Sequence, residues 1–374
     1  MTARISAVTM PRWGMTMTEG RVARWVVPLG ASIGSGADLV EIETTKITNV
    51  LEAAAAGVLR RIVVSEGSSA SVGSIIGVIA APEVTDAEID ALVAAQAGNG
   101  DDEVADADSG PSARLVQADG HTLNVLSLGK GTGLPVIFIH GFGGDLNSWM
   151  FNQPAFAADR STHALDLPGH GQSSPSFGSG SARALSGSVL ALMDALGIAK
   201  AHLVGHSMGG AIALLLAVAK PDRVATVTGV APGGLGPELN RAFIDGFIAA
   251  DRRPAMSAAL GLLFDKSEAV NRAMVDDALR YKRQDGVTEA LQAIAAANFT
   301  AAGQKSGLRE LLPSIKPPIQ IIWGANDRII PAHQADGLQP SVPVAVIGGA
   351  GHMPHMEKSG EVNRLIANHI AAHG

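Results

Sequence analysis

Ser207, Asp327 and His352 are the residues whose types and order could run nucleophilic chemistry, and Lys46, which taken alone reads as an ordinary solvated charge, stands out by its place between two repeats. A serine hydroxyl is a weak nucleophile until a base takes its proton. A histidine can be that base and then the acid for the leaving group, while a carboxylate fixes its tautomer and stabilises the imidazolium. Ser207 lies in GHSMGG (205–210), Asp327 in IQIIWGANDRIIP and His352 in PVAVIGGAGHMPHME. Lys46 lies in EIETTKITNV (41–50), flanked by threonines between two β-like runs, where a tight hairpin would expose its amine.

These residues need elements to carry them. AHLV before GHSMGG reads as a strand and AIALLLAVA after it as a helix, so Ser207 falls on a sharp strand-to-helix turn that the glycines allow. Asp327 and His352 each follow a short apolar run, as loop residues at strand ends do. The 374 residues suggest two domains. Residues 1–80 hold short alternating runs punctuated by glycine and read as all-β. They also repeat: GRVARWVVPLGASIGSGADLVEIE aligns with GVLRRIVVSEGSSASVGSIIGVIA, and Lys46 falls between the copies. Residues 81–112 are rich in Ala, Asp and Gly and read as a flexible acidic linker in which DAEIDALVAAQA forms a helix only transiently. From 113 to 374, β-like and helical runs alternate, which indicates a mainly parallel sheet. A helical stretch at about 233–313 interrupts them. Its Met256, Leu260, Leu263, Phe264 and Phe299 recur at helical spacing and read mostly as core.

Composition excludes several classes. The chain has no cysteine, hence no disulfide, thiolate metal site or cysteine nucleophile. Its net charge of −7 carries no basic run, which argues against a nucleic-acid partner. MTARISAVTMPRWGM does not read as a signal peptide. The longest apolar stretch, AIALLLAVA, is far short of the roughly 20 residues that span a bilayer. A soluble, cytoplasmic protein without a membrane segment is expected, and no metal site is expected.

Both halves resemble known families. EIETTKITNVLEAAAAGVL, with Glu43, Thr44 and Lys46 in the E-T-x-K form, and MPRWGMTMTEGRVARWVVPLG resemble lipoyl domains of the lipoyl/biotinyl carrier family. Biotin carriers usually place Met on both sides of the lysine, where this chain has Thr45 and Ile47. The resemblance implies a barrel-sandwich with lipoate attached to Lys46. The second half is similar to α/β-hydrolases in five ordered elements: FIHGFGGD (138–145), LDLPGHGQS (165–173), GHSMGG, Asp327 and His352. That family places the oxyanion donors at the backbone N–H groups of Phe142 and Met208, and its helical insertion covers the serine as a cap. His355 is the rival to His352, but His352 directly follows GGAG. His140, His206 and His170 read as shaping their loops, and Asp166 comes too early in the fold for the triad acid.

A lipoyl domain, a linker and an α/β-hydrolase domain in one chain resemble the E2 component of acetoin dehydrogenase complexes. The H-x-x-x-D-G motif of ordinary 2-oxo acid dehydrogenase E2 domains is missing, as is a basic subunit-binding segment. The resemblance implies an acyltransferase. A thiamine-diphosphate E1 loads acetyl on lipoyl-Lys46, Ser207 receives it, and coenzyme A accepts it. The partners would be that E1, a dihydrolipoamide dehydrogenase E3 and further copies of the chain. The alternative is a serine esterase or C–C bond hydrolase with a carrier-like docking domain; a scaffold with an inert triad ranks last. The lysine reading is checked by intact mass. Protein from lipoate-replete native cells should carry a lipoyl adduct that Lys46→Arg lacks; wild-type protein without the adduct would refute the assignment.

Overall fold

The computed structural model describes residues 5–11, 17, 19–44, 48–97, 112–305 and 307–373. It divides into two compact units, Met1–Gly110 and Pro111–Gly374.

The first unit is built from β1 (Ile5–Thr9), β2 (Glu19–Trp25), β3 (Ser32–Ile33), β4 (Asp38–Glu43), β5 (Thr48–Glu52), β6 (Gly57–Ile62), β7 (Ser69–Ser71) and β8 (Ile75–Ala80). Two four-stranded antiparallel sheets run β1-β8-β6-β3 and β5-β4-β2-β7. The sequence repeat maps onto them directly. β2-β3-β4 of the first copy corresponds to β6-β7-β8 of the second, and the short middle strand of each copy pairs into the other copy's sheet. Alternation supplies the core: Val22, Leu39, Val40, Ile42, Leu59, Ile76, Val78 and Ile79 are buried.

The chain then enters α1 (Asp86–Ala97), inside the stretch expected to be linker. The helix is docked rather than transient. Thr85 and Glu88 form a capping box, Glu88 Oε2 accepting from the Thr85 N–H at 2.8 Å and Thr85 Oγ1 from the Glu88 N–H at 3.3 Å. Ile89 and Val84 join Ile75, Val78 and Ala80 in one apolar cluster. Arg60–Asp86 and Arg61–Asp90 flank the contact as surface ion pairs.

In the second unit, β9 (Arg114–Ala118), β10 (His121–Ile139), β11 (Arg160–Leu165), β12 (Ala201–His206), β13 (Val224–Val230), a two-stranded ribbon of β14 (Phe299–Thr300) and β15 (Gly303–Gln304), β16 (Ile319–Gly324) and β17 (Val344–Ile347) occur among the described residues. The main sheet runs β11-β10-β12-β13-β16-β17, all parallel, with β9 antiparallel on β10. β12, β13 and β16 are buried at every position, as parallel strands covered on both faces must be. The described helices are α2 (Gln153–Phe156), α3 (Ala182–Ala195), α4 (Met208–Ala219), α5 (Arg241–Ala249), α6 (Arg253–Gly261), α7 (Arg272–Lys282), α8 (Val287–Asn298), α9 (Pro354–Glu357) and α10 (Ser359–His373). α5 to α8 stand between β13 and β16, in the stretch expected to form a cap. Met256, Leu260 and Phe264 are buried there.

The parallel register brings the site together. Ile139 pairs with Gly205, His206 with Val230, Val230 with Ile322, and Gly324 with Ile347. The loops carrying Phe142, Ser207, Asp327 and His352 therefore leave one edge of the sheet, the carboxyl ends of its strands. Among described helices none is long and apolar enough to cross a membrane.

The α1 contact is directly testable. Ile89→Ala should cost about 2–5 kcal/mol, read as faster hydrogen exchange of the β8 amides; unchanged protection would show that α1 does not stabilise the sheet.

Candidate active site

Ser207 sits between β12 and α4 at φ +53°, ψ −117°. A non-glycine residue held there is strained by about 1–3 kcal/mol, so its surroundings must over-determine it. Its N–H donates to the Val230 carbonyl at 2.9 Å, and its own carbonyl accepts from Gly233 at 2.9 Å and Gly210 at 3.0 Å. The neighbouring glycines are required by contact. A Cβ on Gly209 would fall into the Ile139 carbonyl, and one on Gly205 into the Gly209 carbonyl. A Cβ on Gly141 would lie 3.1 Å from Ser207 Cβ, against the nucleophile turn itself.

Asp327 and His352 form a closed pair. His352 Nδ1 lies 2.7 Å from Asp327 Oδ2, and both side chains are almost wholly buried. An ionised carboxylate only accepts, so the imidazole proton is on Nδ1. Asp327 Oδ2 also accepts from Trp323 Nε1–H at 2.9 Å, and its Oδ1 from the N–H groups of Ile329 at 2.8 Å and Ile330 at 3.0 Å. Four donors thus surround a buried charge, the condition under which burial is tolerated. Trp323 was not singled out from the sequence; the signal was an indole in a buried strand, whose N–H must find an acceptor.

The serine side is looser. Among the described residues no hydrogen bond joins Ser207 Oγ to His352. His206, next to the serine, links them instead: its Nε2 donates to the His352 carbonyl at 2.9 Å, and the two rings are 4.7 Å apart. Catalytic serine–histidine bonds commonly tighten only with substrate bound.

His355 is fully buried between Trp149 and His206, with ring centroids 4.5 and 4.6 Å away. Neither of its ring nitrogens meets a partner among the described residues, and it does not reach Asp327. Burial holds it neutral, with its pKa pushed down to about 3. Burial likewise pushes His140 to about 3 and His170 to about 4, and holds His206 well below the ordinary range. His140 accepts from the Leu167 N–H through Nε2 and donates to the Gly141 carbonyl, which fixes the loop before Phe142. Asp166 is structural. Its carboxyl accepts from Asn124 Nδ2 and the N–H groups of Leu146 and Gln172.

A pocket opens beside Ser207, lined by Phe142, Met208, Phe243, Ile244, Phe299 and Ile330 among others. Phe299, expected mostly as core, lines it, and so do α5 residues that the sequence did not mark. The backbone N–H groups of Phe142 and Met208 find no protein acceptor among the described residues.

Lys46 lies outside the described residues. Its flanks are described: β4 and β5 pair antiparallel to Glu43↔Thr48, and residues 44–47 join them. Arg21 Nη1 donates to Glu43 Oε2 at 2.7 Å. A short connection between paired strands suits a lysine that bears a covalent group.

Residues 6–79 match the biotin-requiring enzyme family and residues 135–359 the α/β hydrolase fold. The chain is 42% identical over 99% of its length to the dihydrolipoyllysine-residue acetyltransferase component of the acetoin cleaving system of Pseudomonas putida, covering all of that protein. It is 41% identical over 98% of its length to the component of the same name from Cupriavidus necator, covering 97% of it. Among solved structures it is similar to a meta-cleavage product hydrolase from Pseudomonas fluorescens IP01, with TM-score 0.63 and 22% identity over 70% of this chain and 98% of that one. That likeness is one of fold.

The buried histidines make stability depend on pH. Unfolded, each titrates near 6.5; folded, His140, His170 and His355 titrate near 3 to 4. Between those values the unfolded chain binds more protons. Stability is therefore intact above about pH 6.5 and falls as pH drops, by up to about 1.4 kcal/mol per pH unit for each group. His355→Phe should make the slope shallower by about that amount between pH 6 and 4, measured by urea unfolding at stepped pH. An unchanged slope would remove His355 from this account.

Proposed function

The chain belongs to the family of dihydrolipoyllysine-residue acetyltransferase components of acetoin cleaving systems, and from that premise we propose that it moves acetyl from lipoyl-Lys46 through Ser207 to coenzyme A. The observation that carries this reading is the end-to-end match, in a chain that itself holds both the E-T-x-K segment and the serine site. Lipoate in amide linkage on Lys46 would supply the acetyl group as a thioester.

The residues divide the work. Ser207 Oγ attacks the acyl carbonyl as His352 Nε2 takes its proton. Asp327 holds the imidazole in the Nδ1–H tautomer and stabilises it once protonated. The 2.7 Å bond between them supports these roles. The unpaired N–H groups of Phe142 and Met208 support their assignment as oxyanion donors, each worth about 3–4 kcal/mol of barrier. His352 returns its proton to the leaving thiol. It then draws the proton from the coenzyme A thiol as the sulfur attacks the acetyl carbonyl, and returns that proton to Ser207 Oγ as the carbon–Oγ bond breaks. The partners of this reading are an E1 that delivers acetyl to Lys46 and an E3 that reoxidises the dithiol, in a multienzyme complex.

Acetyl-coenzyme A and free acetate, measured in parallel, test the reading. Ser207→Ala should lower transfer on the order of 10⁶-fold while E1 still acetylates the carrier. Lys46→Arg should stop flux through the complex but spare turnover of free acetyl-dihydrolipoamide. Wild-type protein that yields only acetate at saturating coenzyme A would overturn the transferase in favour of the hydrolase.

A further inference from the structure

Three side chains beside the acid and base converge on one turn of the cap. Asp327 is flanked by Asn326 and Arg328, and His352 lies between Gly351 and Glu357. The turn is Gly261–Asp265, at the end of α6. Arg328 Nη2 donates to the carbonyls of Gly261 and Phe264, the latter at 2.6 Å. Asn326 Nδ2 donates to Asp265 Oδ1 at 2.8 Å. Glu357 spans both sides: Oε1 accepts from the Asp265 N–H at 2.7 Å and Oε2 from the Gly351 N–H at 2.8 Å.

The two loops are also tied to each other, since the Asn326 N–H donates to the Ala350 carbonyl at 2.9 Å. No slack separates loop from cap. A Cβ on Gly351 would lie 2.6 Å from Asp265 N and 2.7 Å from Phe264 C. Among the described residues Glu357 pairs with no cation. Burial raises its carboxyl, and the nearby charges of Asp265 and Asp327 raise it further. Its two backbone donors are what hold it in place.

We propose that Glu357, Asn326 and Arg328 are positioning residues that brace the Asp327–His352 pair against the Gly261–Asp265 turn, so that the placement of the cap sets the alignment of the base. The proposal rests on the acyl-transfer reading for its kinetics, but its geometry can be read without turnover.

The test uses the full chain. The Nδ1 proton of His352, bonded to a carboxylate, should resonate far downfield in the proton spectrum and reports the pair directly. An amide at 357 offers one acceptor oxygen and turns its NH₂ toward the second backbone N–H. Glu357→Gln should therefore shift or broaden that resonance and lower kcat for free acetyl-dihydrolipoamide by about 10- to 100-fold. KM and the thermal unfolding midpoint should change little. Asn326→Ala, which removes a single tie, should move both readouts the same way by less. A folded Glu357→Gln with wild-type resonance and kcat overturns the proposal. If Glu357→Gln does not fold, Asn326→Ala decides: wild-type resonance and kcat there overturn it, and a shifted resonance with lowered kcat supports it. Ser207→Ala run alongside keeps the two readings apart. Turnover surviving in it defeats the acyl-transfer reading, whereas the resonance still judges the brace.

Discussion

The second unit depends on a contact between backbones. α4 lies so close to the ends of β10 and β12 that no Cβ fits at Gly205 or Gly209. That approach forces the chain through a sharp reversal at Ser207 and leaves the serine no relaxed conformation. Strain of this kind persists only where neighbours fix both sides of the turn, and Val230, Gly210 and Gly233 do so through the Ser207 backbone. The motif's glycines are thus steric permits for helix–sheet contact before they are anything chemical.

Around that turn the electrostatics are arranged by exclusion. Four histidines crowd the serine and its loops, and burial holds each of them neutral. Asp327 is the carboxylate bonded to an imidazole there, and its oxygens are saturated by donors from β16 and the following loop. In the proposed acyl transfer, a positive charge developing on His352 would meet one fixed negative partner. Preorganisation of this sort costs nothing at the moment of reaction.

Much of this was legible in the residues, for definite reasons. The repeat in the first 80 residues could be read because glycine turns and alternating strands leave a period-two imprint, and the paired sheets follow it. Ser207, Asp327 and His352 stood out as candidates because each follows an apolar run that becomes a parallel strand, buried throughout before Ser207 and Asp327 and half-exposed before His352. α1 was misjudged because its docking stripe is short, Ile89 with Leu92 and Val93, and the acidic, alanine-rich stretch around it reads as linker. Phe299 and the α5 residues of the pocket could not be assigned either. Helical spacing says that a side chain is covered, not whether protein or ligand covers it. Trp323 and Glu357 escaped because hydrogen-bond partners leave no periodic imprint: Trp323 bonds into the loop after its own strand, and Glu357 reaches the turn after α6, 92 residues earlier.

The registers of the first unit also say where its load hangs. Arg21 pairs with both Glu43 and Ser69, so the connection through residue 46 and the start of β7 share one end of the sandwich. Three residues after β7 the chain enters β8, whose far end, Ala80, pairs with Ile5. Six strand residues span about 20 Å. β8 thus carries the chain away from the end that holds the β4–β5 connection, and α1 then packs back against β8, as a carpenter's rule closes on its hinge.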